Sequence, residues 1–273
     1  MLNNMTIRKK LVVLSLVVLS VISLFGIKST YDTYTNYSNI KDTSALIKLS
    51  VKMSAVLHEL QKERGASAGF IGSKGKKFVD ILPNQHNSSD VKIKELKEYI
   101  NSNHSIFSTM VTKNINLDSI PAMRVKVKSL TAKVKDAVVF YTALNKNIID
   151  TISYFSTIPK NNKLRTNFNS LVVFISSKER AGIERAVLSS VFAKDTFSRA
   201  MAAKFASLVS EQKAFTNLFM HTANQNMQDT YNSVKADPSF GEVQKYRDIA
   251  ESKENSFGVN PTVWFKTITK KNQ

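Results

Sequence analysis

The chain has 273 residues, with 39 Lys and Arg against 21 Asp and Glu, and a formal net charge of +18. It has no cysteine, which excludes disulfide scaffolds, thiolate nucleophiles, iron–sulfur clusters and cysteine-based zinc sites. With only 8 Gly and 5 Pro, turn residues are too few for a sheet protein, so long helices are expected. The excess charge is mostly scattered lysine without an Arg-rich stripe, so no nucleic-acid partner is expected.

The amino-terminal segment has the pattern of a membrane anchor. Leu11–Ile27 is an uncharged run of seventeen residues, near the lower length limit for a bilayer span. Arg8-Lys9-Lys10 precedes it, which favours a cytoplasmic amino terminus, and Phe25-Gly26-Ile27 is a poor signal-peptidase site. We therefore expect a cytoplasmic segment at 1–10 and an uncleaved transmembrane anchor at 11–27 in the inner (cytoplasmic) membrane. Residues 28–273 are then periplasmic or extracellular.

Helical periodicity dominates the remainder of the chain. An apolar line from Leu46 to Ala68 predicts a first helix that ends in the glycine cluster between Gly65 and Gly75. Further helices are predicted at 91–100, 121–155, 163–194, 196–223 and 240–254, and around Trp264. The helix at 163–194 carries the stripe Leu164, Phe168, Leu171, Ile175, Lys178, Gly182, Arg185, Ser189 and Phe192. The pattern predicts an all-α helical bundle on a membrane stalk.

Sequence motifs for catalysis are missing. His58-Glu59 begins like the zinc motif H-E-x-x-H, but Lys62 occupies the position of the second ligand. The segment GFIGSKGKK, from Gly69 onward, lacks the preceding strand and the GK[ST] ending of a phosphate-binding loop. The segment GASAG (65–69) has the spacing G-x-S-x-G but lies on a predicted helix without the preceding strand of a nucleophile elbow, and no kinase signature is present. The sequence therefore predicts neither an enzyme nor a metal or cofactor site.

Two segments place basic residues on apolar helix lines. HELQKERG (58–65) puts Arg64 on the line of the first helix, and KERAGIERA (178–186) puts Lys178 and Arg185 on the line of the later one. A buried basic residue costs several kcal/mol unless a partner offsets its desolvation. In one interpretation the segments form a structural network of ion pairs, with Glu63, Glu179 and Glu184 as the acidic partners.

In the other interpretation the same residues form an anion pocket. Lys178 and Arg185 lie two turns apart on one helix face, with Gly182 between them, and a mid-helix glycine indicates a packing or access requirement. If the helix with Arg64 crosses at this point, two guanidinium groups converge. A flat anion with several acceptor oxygens suits paired guanidinium groups.

The segments HELQKERGASAGFIGSKG, FYTALN, SSKERAGIERAVLSSVFA and VNPTVWFKTIT resemble, in order, the nitrate- and nitrite-sensing (NIT) domain of bacterial receptors. They resemble in particular the form found outside the membrane in methyl-accepting chemotaxis proteins. The resemblance implies two stacked four-helix bundles, with nitrate or nitrite held by arginines from separate helices. It also implies a homodimer, or association with a chemoreceptor.

The motifs of this family are carried over residue by residue. Arg64 matches the arginine of the first motif and Arg185 that of the second. Arg180 falls at a variable position, and Arg247 is a late candidate. The ligand-binding set expected from motif and spacing is Arg64, Arg185, Arg180 and Lys178, supported by Glu63, Glu184, Gly182 and Gly65. Glu63 and Glu184 are expected to orient or neutralise the two arginines when no ligand is bound.

Signalling is expected to follow helix displacement, since the first helix continues into the anchor. A receptor of this type continues beyond the Trp264 helix into a second membrane span, a HAMP linker and a signalling coiled coil, whereas this chain stops at Gln273. The expectation is a fragment of a longer receptor or a protein without its own output. Two alternatives stay open: a similar sensor for another small anion such as a carboxylate, and a structural or partner domain that binds no ligand.

Overall fold

The chain is helical from end to end in the part that the structure describes. The computed structural model describes residues 6–103 and 105–272, without the side chains of residues 10–18, 36, 38, 39 and 106. Within these residues there is no strand beyond one isolated bridge between Thr196 and Asn255, which confirms the all-α prediction. The helices are α1 (Ile7–Gly72), α2 (Ile81–Ser102), α3 (Ile106–Asn114), α4 (Ile120–Lys128), α5 (Val134–Phe155), α6 (Asn162–Lys194), α7 (Arg199–Thr222), α8 (Gln225–Lys235), α9 (Ser239–Ser252) and α10 (Pro261–Asn272).

The chain divides into two compact units, the first ending at Ala45 and the second beginning at Leu46. In the first unit, Phe25 and Ile27 are 75% and 68% exposed. The predicted span 11–27 lies partly outside the described residues, because the side chains of 11–18 are not described. Among those that are, no helix combines the length and apolar content that a membrane crossing requires.

The second unit has two main apolar cores that share α6. The first lies between α1, α2, α3, α5 and the beginning of α6, where Phe168 and Ile175 are buried. The second lies between the end of α6, α7, α9 and α10 and includes Phe192 and Trp264. Between Ile175 and Phe192, α6 carries the fully buried charged residues Glu184 and Arg185. The charges therefore lie on α6 where one core gives way to the other.

Four details of the predicted helices are wrong. The helix predicted at 91–100 begins ten residues earlier, since α2 is Ile81–Ser102. The predicted helix 121–155 is two helices, α4 and α5, because the backbone N–H groups of Thr131 and Ala132 both donate to Lys126 O and close α4, with Leu130 at φ 58°. On α6, Leu164 and Leu171 are 40% and 36% exposed and lie outside the core. Finally, α3 and α8 have no counterpart among the predicted helices.

The glycines of α1 allow close helix contact as well as marking its end. α1 continues through Gly65 and Gly69 and ends at Gly72, within the predicted glycine cluster, which confirms that prediction. A Cβ on Gly72 would lie 3.2 Å from Ser190 Cα, so α6 approaches α1 closely at this point. A Cβ on Gly69 would overlap the ring of Phe78, which is 3% exposed.

Gly69→Ala is expected to destabilise the fold, and Gly241→Ala to stabilise it. The new methyl at position 69 must displace the buried Phe78 ring, an overpacking that costs about 1–3 kcal/mol. Gly241 in α9 has nothing within 4 Å of its Cβ position, so alanine there gains up to about 1 kcal/mol of helix propensity. Urea denaturation of both variants measures the difference, and equal effects would contradict the close contact at Gly69.

Candidate functional site

The two sequence segments meet where α1 and α6 cross. Arg64 and Arg185 are both 0% exposed, which confirms their predicted placement on buried lines. A Cβ on Gly182 would lie 2.8 Å from Arg64 Nη2, and a Cβ on Gly65 would lie 3.2 Å from Arg185 Nε. Arg64 therefore passes over Gly182 of α6, and Arg185 passes over Gly65 of α1. Because glycine has no side chain, each leaves room for a guanidinium group.

Arg64 is neutralised by a buried carboxylate. Its Nη1 donates to Glu179 Oε1 and to Thr142 Oγ1 at 2.9 Å, and its Nη2 donates to Glu179 Oε2 at 3.2 Å. Gln61 Nε2 donates to the same Oε2 at 2.8 Å, and Asn145 Nδ2 at 3.3 Å. Among the nitrogens of Arg64, only Nε makes no hydrogen bond with the described protein groups. The structural interpretation of the basic residues is thus correct for the pair of Arg64 and Glu179.

Glu63 and Glu184 do not pair with the arginines that the sequence suggested. Glu63 accepts two hydrogen bonds from Arg124 on α4, at 2.8 and 2.9 Å, and one from Tyr141 at 2.6 Å. Glu184 accepts two from Arg247 on α9, both at 2.8 Å. The expectation that these acids neutralise Arg64 and Arg185 is therefore wrong. Both acids are adjacent in sequence to those arginines and point to other helices.

Arg185 has no acidic hydrogen-bond partner among the described residues. Its Nη1 donates to Thr269 Oγ1 at 3.0 Å, and its Cζ lies 5.5 Å from the centroid of the Phe265 ring. Its Nε and Nη2 are buried and make no hydrogen bond with the described protein. These two nitrogens form one side of the planar guanidinium, called here the Nε–Nη2 edge. This edge presents two parallel N–H donors, the arrangement that arginine uses to hold two oxygens of one anion.

The charge on Arg185 is poorly compensated. Burial and then the positive charge of Arg64 lower the pKa of Arg185 to about 9, and Glu179 and Glu59 oppose this shift. Because about 9 lies above neutral pH, the guanidinium remains charged in the folded protein at pH 7. A base whose pKa is lowered by folding destabilises the folded state while it is charged. A bound anion would remove that cost.

The positive charge of Arg185 also affects the pKa values of Lys178 and His58. Burial, followed by the charge of Arg185, lowers the pKa of Lys178, which has no hydrogen-bond or ion-pair partner among the described residues. Burial, followed by Lys178 and Arg185, lowers the pKa of His58 to about 4, so that its imidazole is neutral at pH 7. His58 Nδ1 is buried without a hydrogen-bond partner. The surroundings of Arg185 are thus electropositive.

The remaining predicted residues lie elsewhere. Arg180 forms an ion pair with Glu211 on α7 and lies over the Phe215 ring at 5.4 Å, so the structure does not bring it to Arg185. Arg247 is occupied by Glu184. Thr269 was not among the predicted residues, although its hydroxyl contacts Arg185 from a helix far along the chain. A threonine on an amphipathic helix carries no signal of such a role.

The unpaired donors of the two arginines suit a small planar anion. Arg64 and Arg185 contribute buried N–H donors that lack acceptors among the described residues, at Nε of the first and along the Nε–Nη2 edge of the second. Hydrogen bonds between a charged donor and an anion contribute on the order of 1.5–3 kcal/mol each. The described residues contain no cluster of His, Asp and Glu that could hold a metal ion. What the site offers is electrostatic and hydrogen-bonded binding of an anion.

Two comparisons with known proteins find a similar family and a similar fold. A family model described as nitrate and nitrite sensing (NIT) matches residues 55–273. The fold is similar to that of the solved NasR transcription antiterminator, with a TM-score of 0.76 and 17% sequence identity over 86% of this chain. The matched part is 66% of that protein, so this chain spans just under two thirds of its length. A search of curated proteins finds no significant match.

Replacing the two buried arginines by methionine should have different effects on stability. Arg64→Met leaves the Glu179 carboxylate buried without its cation and should cost about 3–5 kcal/mol. Arg185→Met removes a poorly compensated charge and should cost less than about 1 kcal/mol or raise the free energy of unfolding. As a control, Arg180→Met breaks a half-exposed pair and should cost less than about 1 kcal/mol.

The measurement is urea denaturation of the full chain in a buffer free of nitrate and nitrite. A loss of several kcal/mol in Arg185→Met, as large as that in Arg64→Met, would show that protein groups already compensate the Arg185 charge.

Proposed function

Because this chain belongs to the nitrate and nitrite sensing (NIT) family, we propose that the Nε–Nη2 edge of Arg185 binds nitrate or nitrite and that this binding is the sensing event. One observation carries the site: Arg185 is 0% exposed, charged at neutral pH, and has two donors without an acceptor among the described residues. Nitrate presents two coplanar oxygens to such an edge and supplies the missing negative charge.

The other predicted residues have distinct roles in this proposal. Arg64 contributes its Nε and fixes the position of α1, because Glu179 on α6 holds its other two nitrogens. Lys178 adds positive charge next to Arg185 and attracts the anion. Gly65 and Gly182 keep the space that the two guanidinium groups occupy. Glu63 and Glu184 support the site indirectly through Arg124 and Arg247.

The proposal extends to the signal. An anion bound between α1 and α6 would draw the two helices together, and displacements of about 1–2 Å between packed helices are typical of such transitions. The anion must bind the displaced state more tightly for the shift to occur. We propose a chemoreceptor-type protein of two stacked four-helix bundles that acts as a homodimer or with a chemoreceptor.

The site predicts an anion-specific rise in stability that depends on Arg185. With nitrate or nitrite at about 100 times its dissociation constant, the free energy of unfolding should increase by about 2.7 kcal/mol. Arg185→Met should abolish this increase, whereas Arg199→Met, which removes an exposed arginine on α7, should retain it. Thermal unfolding of the full chain with nitrate, nitrite, formate and chloride at matched ionic strength measures the effect.

The outcomes separate the alternatives. A larger rise with formate than with nitrate would indicate a carboxylate sensor. Equal small shifts with all four anions, or an unchanged nitrate response in Arg185→Met, would contradict binding at this edge.

We also propose that Leu11–Ile27 anchors the protein in the inner membrane with the second unit outside the cytoplasm. The uncharged run and the preceding Arg8-Lys9-Lys10 support this, as does the exposure of Leu24 and Phe25, which are 67% and 75% exposed.

The anchor predicts that the full chain sediments with membranes and stays there after an alkaline wash. Val21→Glu with Leu24→Glu should release it, since each buried acid costs roughly 2.5–3.5 kcal/mol in a membrane helix. The matched pair Thr30→Glu and Thr33→Glu lies beyond the run and should leave the distribution unchanged. Recovery of the unaltered chain in the soluble fraction would refute the anchor.

A further inference from the structure

Helix α10 contacts Arg185 at three points. Trp264 Nε1 donates to the backbone oxygen of Arg185 at 3.2 Å, the Phe265 ring lies beneath the guanidinium, and Thr269 Oγ1 accepts from Nη1 at 3.0 Å. The three residues cover two turns of one helix face. The position of the Arg185 side chain is therefore defined by α10 as well as by its own helix.

The Thr269 hydroxyl has a fixed orientation. Its hydrogen is donated to the backbone oxygen of Phe265 at 2.6 Å, so the oxygen presents a lone pair to Arg185. Since Thr269 is only 9% exposed, water does not compete freely for that lone pair. An acceptor held at Nη1 fixes the rotation of the guanidinium plane. On the opposite side, the Nε–Nη2 edge meets no acceptor from the part of the chain that the structure describes.

Helix α10 is itself firmly held in the second core. The Trp264 indole is 0% exposed and meets the rings of Phe192 at 5.9 Å and Tyr246 at 5.7 Å. These contacts lie on the turn before Thr269 and restrict the movement of its hydroxyl. The hydroxyl thus has the fixed position that a positioning group requires.

We propose that Thr269 is a positioning residue that turns the Nε–Nη2 edge of Arg185 toward the anion, and that it couples the placement of α10 to anion affinity. The inference rests on the anion-binding function proposed above. With Thr269, a third helix contributes to the site, because α10 orients the Arg185 guanidinium and α1 and α6 alone do not. Because coupling between two equilibria is reciprocal, a change in the placement of α10 alters anion affinity, and anion binding alters the placement of α10.

The test compares three threonine variants of the full chain. Thr269→Val keeps the shape but removes the acceptor, Thr269→Ser keeps the hydroxyl, and Thr267→Val makes the same change at a half-buried position of α10. The nitrate dissociation constant is measured by isothermal titration calorimetry. Loss of one hydrogen bond to a charged group should weaken binding at least about tenfold in Thr269→Val. Thr269→Ser and Thr267→Val should stay near the unaltered affinity.

A second measurement does not depend on the ligand. In anion-free buffer, the shift in urea midpoint caused by Thr269→Val is compared between the unaltered chain and Arg185→Met. If Thr269 holds the guanidinium, the shift should be smaller when residue 185 is methionine. This comparison distinguishes a failure of the positioning role from a failure of nitrate binding as such.

The outcomes test the nitrate-binding function and the positioning role of Thr269 separately. If the unaltered chain shows no nitrate binding, the proposed function fails, and the urea comparison alone decides whether Thr269 holds Arg185. If the unaltered chain binds nitrate and Thr269→Val binds within about twofold of it, the positioning role is overturned. Equal weakening in Thr269→Val and Thr269→Ser would overturn it as well, because packing of the methyl would then explain the effect.

Discussion

The central constraint on this structure is the cost of holding charge away from water in the middle of a helical bundle. Three buried acids on α1 and α6 each have a hydrogen-bonded arginine: Glu63 has Arg124, Glu179 has Arg64, and Glu184 has Arg247. These pairs join α1 to α4, α1 to α6, and α6 to α9. Arg185 is the exception, because among the described residues its guanidinium donates one hydrogen bond, to the Thr269 hydroxyl, and none to a carboxylate. The packing of these helices thus places the poorly compensated charge of Arg185 next to Lys178, which also lacks an acidic partner among the described residues.

The two glycines explain how that charge comes to lie between helices rather than at a surface. Gly65 and Gly182 remove the side chains that would separate α1 from α6, and each admits the arginine of the other helix. A larger residue at position 182 would press on Arg64 and disturb its bonds to Glu179. The mid-helix glycines therefore lower helix propensity but allow two like charges to share a narrow crossing. One carboxylate, Glu179, offsets only part of their repulsion.

The burial of Arg64 and Arg185 could be predicted from sequence, because a basic residue on an apolar line must enter the core. Their partners could not. Glu63 and Glu184 directly precede the arginines in sequence, Glu179 lies six residues before Arg185, and the choice among them depends on where α4 and α9 place Arg124 and Arg247. The helices could likewise be predicted only where the sequence pattern is strong. Long apolar lines in α1 and α6 identify the helices, whereas α8 has no buried residue and only a short apolar line of Met227, Tyr231 and Val234.

The same imbalance of charge connects stability to ligand binding. In the protein alone, Arg185 destabilises the fold because it is charged and buried, as its lowered pKa of about 9 indicates. In the proposed site, an anion at the Nε–Nη2 edge would cancel that cost and add its own hydrogen bonds, so both contributions would favour the bound arrangement. Chloride can supply the charge but not two coplanar oxygens, and its gain should be smaller. Arg185 lies on α6, passes close to Gly65 of α1 and donates a hydrogen bond to Thr269 of α10. A change in the energy of its charge therefore affects the packing of three helices. If the proposed site is correct, Arg185 is thus the residue whose energy depends most directly on whether the anion is bound.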